Sequence, residues 1–159
     1  MRGEPMQPTD TDLETFLSAV TPKVRQRDAR TMVELMRRVT AQEPRLWGSI
    51  LGFGEYHYRY ATGREGDGPA ASFAPRRSAT TVYLPDGVGA HAEALARLGE
   101  HSTGVGCLYI TRLEQVDLGV LEEIISASYQ RVSAATFGAR ARDGGTLGED
   151  PDRAATAGS

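Results

Sequence analysis

The chain has 159 residues, 40% hydrophobic and 25% charged, which is ordinary for a globular protein long enough to bury a core without a disulfide or a metal. Its net charge of −3 is too small to indicate a nucleic-acid or membrane-surface partner, and its single cysteine excludes an internal disulfide. No apolar run of about 18 residues occurs and the polar N-terminus lacks a secretory apolar stretch, so we expect no membrane span and a cytoplasmic protein.

The first third of the chain predicts two helices. Thr11 and Glu14 have the spacing of a capping box, which opens a short helix that ends at Pro22. Thr21 is then placed to cap a second helix that starts at Pro22 and ends before Pro44. In both segments the apolar residues recur at helical spacing: Leu13, Phe16, Leu17 and Val20, then Ala29, Met32, Val33, Met36 and Val39.

Beyond Pro44 the pattern becomes that of strands. Residues 53–60 alternate with period two, and residues 72–74 and 80–84 are two further strand candidates. Residues 61–69, rich in glycine and charge, predict a loop. The alternation predicts one face with Tyr56, Tyr58 and Tyr60 and an opposite face with Glu55, His57 and Arg59.

The remaining elements complete an α+β pattern. A short helix over 91–98 stops at Gly99, a strand covers 107–110, and Asp117 caps a long terminal helix. Strands joined by tight turns predict an antiparallel sheet packed against helices. The alternation in the last strand predicts that Leu108 and Ile110 share a face opposite Cys107 and Tyr109.

We expect one domain over residues 11–141, with disordered termini at 1–10 and 142–159, where glycine, proline and acidic residues lack periodicity. Apolar residues on the predicted inner faces should supply much of the core. These are Leu17, Met32, Met36, Trp47, Phe53, Val82, Leu108, Ile110, Leu121 and Ile125.

A series of short motifs runs through most of the chain. In order, they are Trp47-Gly48-Ser49-Ile50, Gly52-Phe53-Gly54, Tyr56-His57-Tyr58, Gly63-Arg64-Glu65-Gly66, Phe73-Ala74-Pro75-Arg76-Arg77, Leu98-Gly99, Thr103-Gly104, Cys107-Leu108-Tyr109-Ile110 and residues 113–121. Together these motifs resemble the YdhG-like family, a domain family of unknown function. The resemblance implies a compact α+β domain, and some relatives resemble frataxin in fold and are described as iron chaperones. The chain departs from the family pattern at Val105 and Gly106, where relatives commonly carry a lysine and a serine.

The segment between Trp47 and Arg77 concentrates tyrosine, glycine and arginine. Arginine presents a fork of donors that matches carboxylate or phosphate, and tyrosine adds a stacking face. We therefore expect a non-enzymatic module that binds a small anionic or aromatic ligand, or a partner. Its candidate ligand-binding residues are Tyr58, Tyr60, Arg64, Arg76, Arg77 and His57. The alternative is that the tyrosines pack as sheet surface while the arginines pair with Glu55, Glu65 and Asp67.

Two other functions stay open. No cofactor is expected, but weakly bound iron is the alternative that the family resemblance implies. Carboxylates gather at helix starts and could hold such a metal weakly, since hard cations prefer oxygen ligands. The acids concerned are Asp10, Asp12 and Glu14, and then Glu114, Asp117, Glu122 and Glu123; they equally suit the helix dipole. A thiol enzyme would use Cys107 with His57, His91 or His101, although a strand cysteine is commonly a small buried hydrophobe.

Overall fold

The protein, described here from a computed structural model over residues 12–59 and 65–133, has an α+β fold in which an antiparallel sheet packs against helices. This confirms the fold class expected from the sequence. The helices and strands in chain order are α1 (Leu13–Ser18), α2 (Lys23–Thr40), β1 (Arg45–Trp47), β2 (Ile50–Arg59), β3 (Glu65–Pro75), β4 (Thr80–Tyr83), α3 (Ala92–Ala96), β5 (Ser102–Thr103), β6 (Cys107–Ile110) and α4 (Leu118–Ser133). Short 3₁₀ turns at Val88–His91 and Leu113–Gln115 precede α3 and α4.

The strands lie in the order β1-β2-β3-β4-β6-β5, and all neighbours are antiparallel. β1 reaches only Gly52 of β2, and β4 reaches only Ser72 of β3. Residues 53–59 and 65–71 therefore pair only with each other in the part of the sheet that is described, and we call this two-stranded extension the arm.

Strand alternation places the main core between the sheet and the helices α2 and α4. Among the predicted core residues, Trp47 alone does not join this cluster. The inner-face residues of the central strands are Leu51, Phe53, Ala71, Phe73, Val82, Leu108 and Ile110, and the helices add, among others, Met32, Met36, Leu121 and Ile125. Cys107 and Tyr109 are less buried than their neighbours, as the predicted alternation requires.

Trp47 belongs to a second cluster on the outer face of the sheet, with Ile50, Ala74 and Tyr83. Its indole lies directly against Gly52, where a Cβ atom would stand 2.6 Å from the indole nitrogen. The glycine is therefore required at that position because the ring occupies the space that a side chain would need.

At Gly54 the alternation of buried and exposed side chains along β2 shifts by one residue. Before it, Leu51 and Phe53 point into the core; after it, Tyr56 is the buried residue and Glu55 is exposed. Gly54 has φ +73°, a conformation that residues with a side chain rarely adopt. The arm beyond it is held by α4, because Tyr56 packs with Val132.

Two buried polar networks attach the helices to loops. Arg25 of α2 donates from Nη1 to the Thr111 carbonyl oxygen at 2.7 Å, and Oδ2 of Asp28 accepts from the Leu113 amide at 2.9 Å. Burial lowers the pKa of the Arg25 guanidinium, a change that Asp28 partly opposes. The start of α2 is thereby fixed to the connection between β6 and α4.

The second network joins the loop after β4 to α4. Asp86 accepts from the Ser128 hydroxyl at 2.6 Å through Oδ1, and its Oδ2 lies 2.7 Å from Nε2 of His91. All three side chains are buried. Burial raises the pKa of the Asp86 carboxyl, but the hydrogen bonds from His91 and Ser128 outweigh it, so the pKa lies below its usual range.

Several local predictions were wrong. The cap of α1 is Asp12, whose carboxylate accepts from the Thr15 amide, so the proposed Thr11 capping box does not set the helix start. α2 begins at Lys23 with Pro22 in the cap position and no side-chain cap. Residues 65–69 belong to β3 rather than to a loop.

The glycines of that stretch suit a strand for a packing reason. Gly68 pairs with Tyr56, and a Cβ atom on it would stand 3.3 Å from the tyrosine ring. Pro69 lies where β3 has no β4 partner, which is a position that tolerates proline. Across the described ranges, no helix combines the length and the apolar character needed to cross a bilayer.

Candidate ligand-binding site

Two hairpin turns meet at one end of the sheet. The β1–β2 turn consists of Gly48 and Ser49, because Trp47 pairs with Ile50. The β3–β4 turn starts at Arg76, whose amide donates to the Ala79 carbonyl oxygen at 3.0 Å. Since the start of β2 lies beside the end of β3, the antiparallel register brings the two turns together.

The guanidinium of Arg76 links these turns. Nη1 donates to the Ser49 hydroxyl oxygen at 2.8 Å, and Nη2 donates to the Tyr83 phenol oxygen at 3.2 Å. Both partners are neutral, so the charge of this exposed side chain is held in place without being compensated. Such an arrangement orients a cation towards an incoming anion.

Arg77, the next residue, is exposed and borders a cleft of about 300 Å³. Within residues 12–59 and 65–133 it makes no hydrogen bond or ion pair. The other residues that line this cleft come from the end of α1, the α1–α2 connection and the two turns: Phe16, Ala19, Val20, Thr21, Ser49 and Pro75.

Most arginines elsewhere in the described structure face carboxylates. Arg30 and Arg38, for example, pair with Glu14 and Glu122 at 2.9 and 2.8 Å. The further pairs are Arg27 with Glu114, Arg37 with Glu34 and Glu43, Arg45 with Glu55, and Arg97 with Glu123. The β3–β4 turn therefore differs from the other arginine positions, because its two consecutive arginines have no carboxylate partner within the described residues.

The outer face beside Arg76 carries a thiol and phenols. Tyr83 lies opposite Cys107, and Tyr109 lies opposite Thr81, so these side chains share one face. The hydrogen bond with Cys107 and the electrostatic effect of its thiol raise the pKa of the Tyr109 phenol. Arg76, Tyr83 and Cys107 therefore follow one another along the outer face, and none of the three is acidic.

His57 lies far from this end of the sheet. It sits opposite Asp67, and its Nδ1 is 2.9 Å from the Asp67 Oδ1 atom. From Asp67 to Arg76, β3 and its following residue span about 30 Å at the rise of an extended strand. The structure therefore places His57 far from Arg76 and Arg77, so these three residues do not share one site as the sequence analysis expected.

The structure gives no side-chain position for the remaining candidates of the tyrosine and arginine segment. Tyr60 and Arg64 lie outside the described residues, as does the side chain of Tyr58. Of the acids proposed as partners of the arginines, Glu55 pairs with Arg45 and Asp67 contacts His57, whereas the side chain of Glu65 lies outside the described residues.

The acids considered for iron have other partners. Asp12 caps α1, and the hydrogen bonds from Arg30 and Ser18 lower the pKa of Glu14 to about 2. Asp10 lies outside the described residues. At α4, Asp117 accepts from the Gly119 and Val120 amides, and Glu114, Glu122 and Glu123 pair with Arg27, Arg38 and Arg97. The described ranges contain no group of three or more residues that are candidate metal ligands.

The histidines considered for a thiol mechanism have contacts elsewhere. His91 meets Asp86, His57 meets Asp67, and the His101 Nδ1 lies 2.7 Å from the Gly99 carbonyl oxygen. The Cys107 thiol contacts the Tyr109 phenol. The contacts of the three histidines are therefore with Asp86, Asp67 and Gly99, and none of these contacts supplies the base that a thiol mechanism needs.

Sequence reasoning missed Ser49, Tyr83, Phe16 and Val20 as parts of the site. Gly48-Ser49 between two apolar pairs is a recognisable hairpin turn, and it was the available signal for Ser49. Tyr83 and Phe16 reach the site only through the strand register and helix packing, which the local pattern does not encode.

Comparisons of the chain with protein-family models, curated proteins and solved structures found no match in any of the three. The resemblance to the YdhG-like family therefore stays a prediction from the motifs alone.

Proposed function

We propose that the protein is a non-enzymatic binding module that takes a small anionic ligand at Arg76 and Arg77. The observation that carries the proposal is the pair of consecutive arginines at the β3–β4 turn, which have no carboxylate partner in the described ranges. Guanidinium groups form charge-assisted hydrogen bonds with carboxylate or phosphate oxygens, and an arginine without a carboxylate partner is free to do so.

The fixed position of Arg76 supports this function. Its hydrogen bonds with Ser49 and Tyr83 restrict the guanidinium before any ligand arrives, so less side-chain entropy is lost on binding. Arg77 contributes a second positive charge beside the cleft. An iron-binding function has no comparable support, because the described acids at the helix starts cap a helix or pair with arginine.

Inorganic phosphate is the appropriate first probe because it offers charge and acceptor oxygens without any other recognition element. We would titrate phosphate at constant ionic strength, balanced with chloride, and follow both the melting temperature and the backbone amide resonances. Saturable stabilisation, with shifts concentrated at Ser49 and residues 76–79, is the expected result.

The matched variants are Arg76→Gln with Arg77→Gln, and Arg131→Gln as a control. Arg131 is also exposed and forms no ion pair or hydrogen bond within the described residues, but it lies at the end of α4. The double variant should lose the phosphate-dependent shift while Arg131→Gln retains it. Equal stabilisation of all three proteins would refute the site.

A further inference from the structure

We infer that the ligand carries an apolar ring next to its anionic group, and that this ring occupies the cleft bordered by Arg77. This inference rests on the proposed function and specifies its ligand as a small aryl or cyclic carboxylate. The observation behind it is that Arg77, which has no partner among residues 12–59 and 65–133, lies next to an apolar wall.

The wall consists of side chains that are neither fully buried nor fully exposed. Phe16 and Val20 come from α1 and the connection after it, and Pro75 ends β3; each lies partly accessible in the cleft. Phe16 also packs against the main core on its other side, which fixes the position of its ring. A flat apolar group placed here removes surface from water on both partners.

The polar side of the cleft matches a carboxylate. Arg77 supplies the charge, and the Ser49 oxygen accepts a hydrogen bond from Arg76, so the Ser49 hydroxyl retains its own proton for donation. A hydroxyl that accepts from a guanidinium becomes a stronger donor, because linked hydrogen bonds polarise one another. Arg76 thereby acts on a ligand in the cleft through Ser49, which lines it.

The volume of the cleft suits a single ring. About 300 Å³ lies at the lower end of the range for small-molecule sites. A single ring with a short carboxylate arm fits this volume, and any further part of a longer ligand would lie outside the cleft in solvent.

The test compares phenylacetate with acetate, which share the carboxylate and differ in the ring, and uses benzyl alcohol as the neutral analogue. Amide chemical shifts of the full chain give the affinities. Wild-type protein should bind phenylacetate about tenfold more tightly than acetate, and benzyl alcohol should bind more weakly than phenylacetate.

Two variants locate the ring. Phe16→Ala should reduce the affinity for phenylacetate towards that for acetate. Val20→Thr, which keeps the side-chain shape and replaces a methyl group by a hydroxyl, should lower the phenylacetate advantage and serves if Phe16→Ala does not fold. Arg77→Gln should weaken both anions.

The outcomes separate this inference from the proposed function. Equal affinities of wild-type protein for acetate and phenylacetate, with both perturbing residues 76–79, would overturn the inference alone. A phenylacetate advantage that survives in both wall variants would also overturn it. Absence of any response to phosphate, acetate and phenylacetate would overturn the anion site and the ring site together.

Discussion

Nε2 of His91 lies 2.7 Å from Oδ2 of Asp86, and both side chains are almost completely excluded from solvent. Because Ser128 donates to the other carboxylate oxygen, Asp86 joins the loop after β4 to the middle of α4. Asp86 lies between Ser128 and His91, so the serine hydroxyl does not face the imidazole as a catalytic nucleophile would face its base. The arrangement is therefore a structural connection.

The first prediction concerns the stability of the protein in acid. The folded pKa of Asp86 is below its ordinary value of 3.8, so its carboxylate stabilises the fold above that pH, and this contribution disappears as pH falls through the folded pKa. Asp86→Asn should lower the free energy of unfolding near neutral pH and flatten its decline in acid. Urea denaturation at pH 7, 4 and 3 measures both effects.

Asp67→Asn provides the matched control, because Asp67 also meets a histidine but on an exposed surface. It should change the free energy of unfolding by less than about 1 kcal/mol. An equal acid decline in wild type and Asp86→Asn would contradict the role given to the buried carboxylate.

The second prediction concerns the buried pair at the start of α2. Asp28→Ala leaves the Arg25 charge without its carboxylate and the Leu113 amide without its acceptor. We expect a loss of about 3–5 kcal/mol in the free energy of unfolding, the usual cost of breaking a buried pair. Glu114→Ala, which removes an exposed partner of Arg27, should cost less than about 1 kcal/mol. Similar losses in the two variants would show that burial of the pair is unimportant.

The third prediction uses glycines to separate backbone strain from steric overlap. Gly48 has φ +69° and open space around its missing side chain, whereas Gly52 has an ordinary φ but no space, since a Cβ would lie 2.6 Å from the Pro69 Cβ. Gly48→Ala should cost about 1–2 kcal/mol, the penalty of a left-handed conformation. Gly52→Ala should cost more, because strand backbone or the packed indole must move.

Gly89→Ala is the control for this series, because its site is open and its backbone conformation is ordinary. It should leave the melting temperature unchanged or slightly raised, since alanine restricts the unfolded chain. Thermal denaturation of the three variants in parallel makes the comparison, and equal losses at all three glycines would contradict both assignments.

The fourth prediction is a titration. Glu14 should titrate near pH 2, because Arg30 and Ser18 donate to its carboxylate. In Arg30→Ala the pKa should rise towards the ordinary value of 4.5, which a carboxyl carbon NMR titration measures directly. A wild-type value already near 4.5 would mean that the pair does not persist in solution.

The sequence predicted those parts of the fold whose residues repeat with a regular period. α2 and α4 are long enough for apolar spacing to define them, and the alternation around Leu108 correctly separated the two faces of β6. β1 and β5 were missed because strands of three and two residues are too short for any period. The predicted β3 was too short because Gly68 reads as a loop residue, whereas it makes room for the Tyr56 ring on the neighbouring strand, and that reason is visible only once the strands are paired.

The candidate site was anticipated in composition but not in geometry. Arg76 and Arg77 follow from the concentration of arginine, yet the distance to His57 depends on the full length of β3. Ser49 belongs to the site because the β1–β2 turn lies beside the β3–β4 turn, and the pairing register of the strands determines this. Local sequence patterns carry no information about which distant residue will complete a hydrogen bond.

The arm has a consequence for local stability. Within the described residues, 53–59 and 65–71 have a strand partner on one side only, and α4 supports them through the packing of Tyr56 with Val132. Amide hydrogens that point away from the partner strand there should exchange with deuterium in water through small openings, without global unfolding. Amides in the paired centre of the sheet, around Val82, should exchange only when the whole domain unfolds. Deuterium uptake would then distinguish two cooperative units within a single sheet.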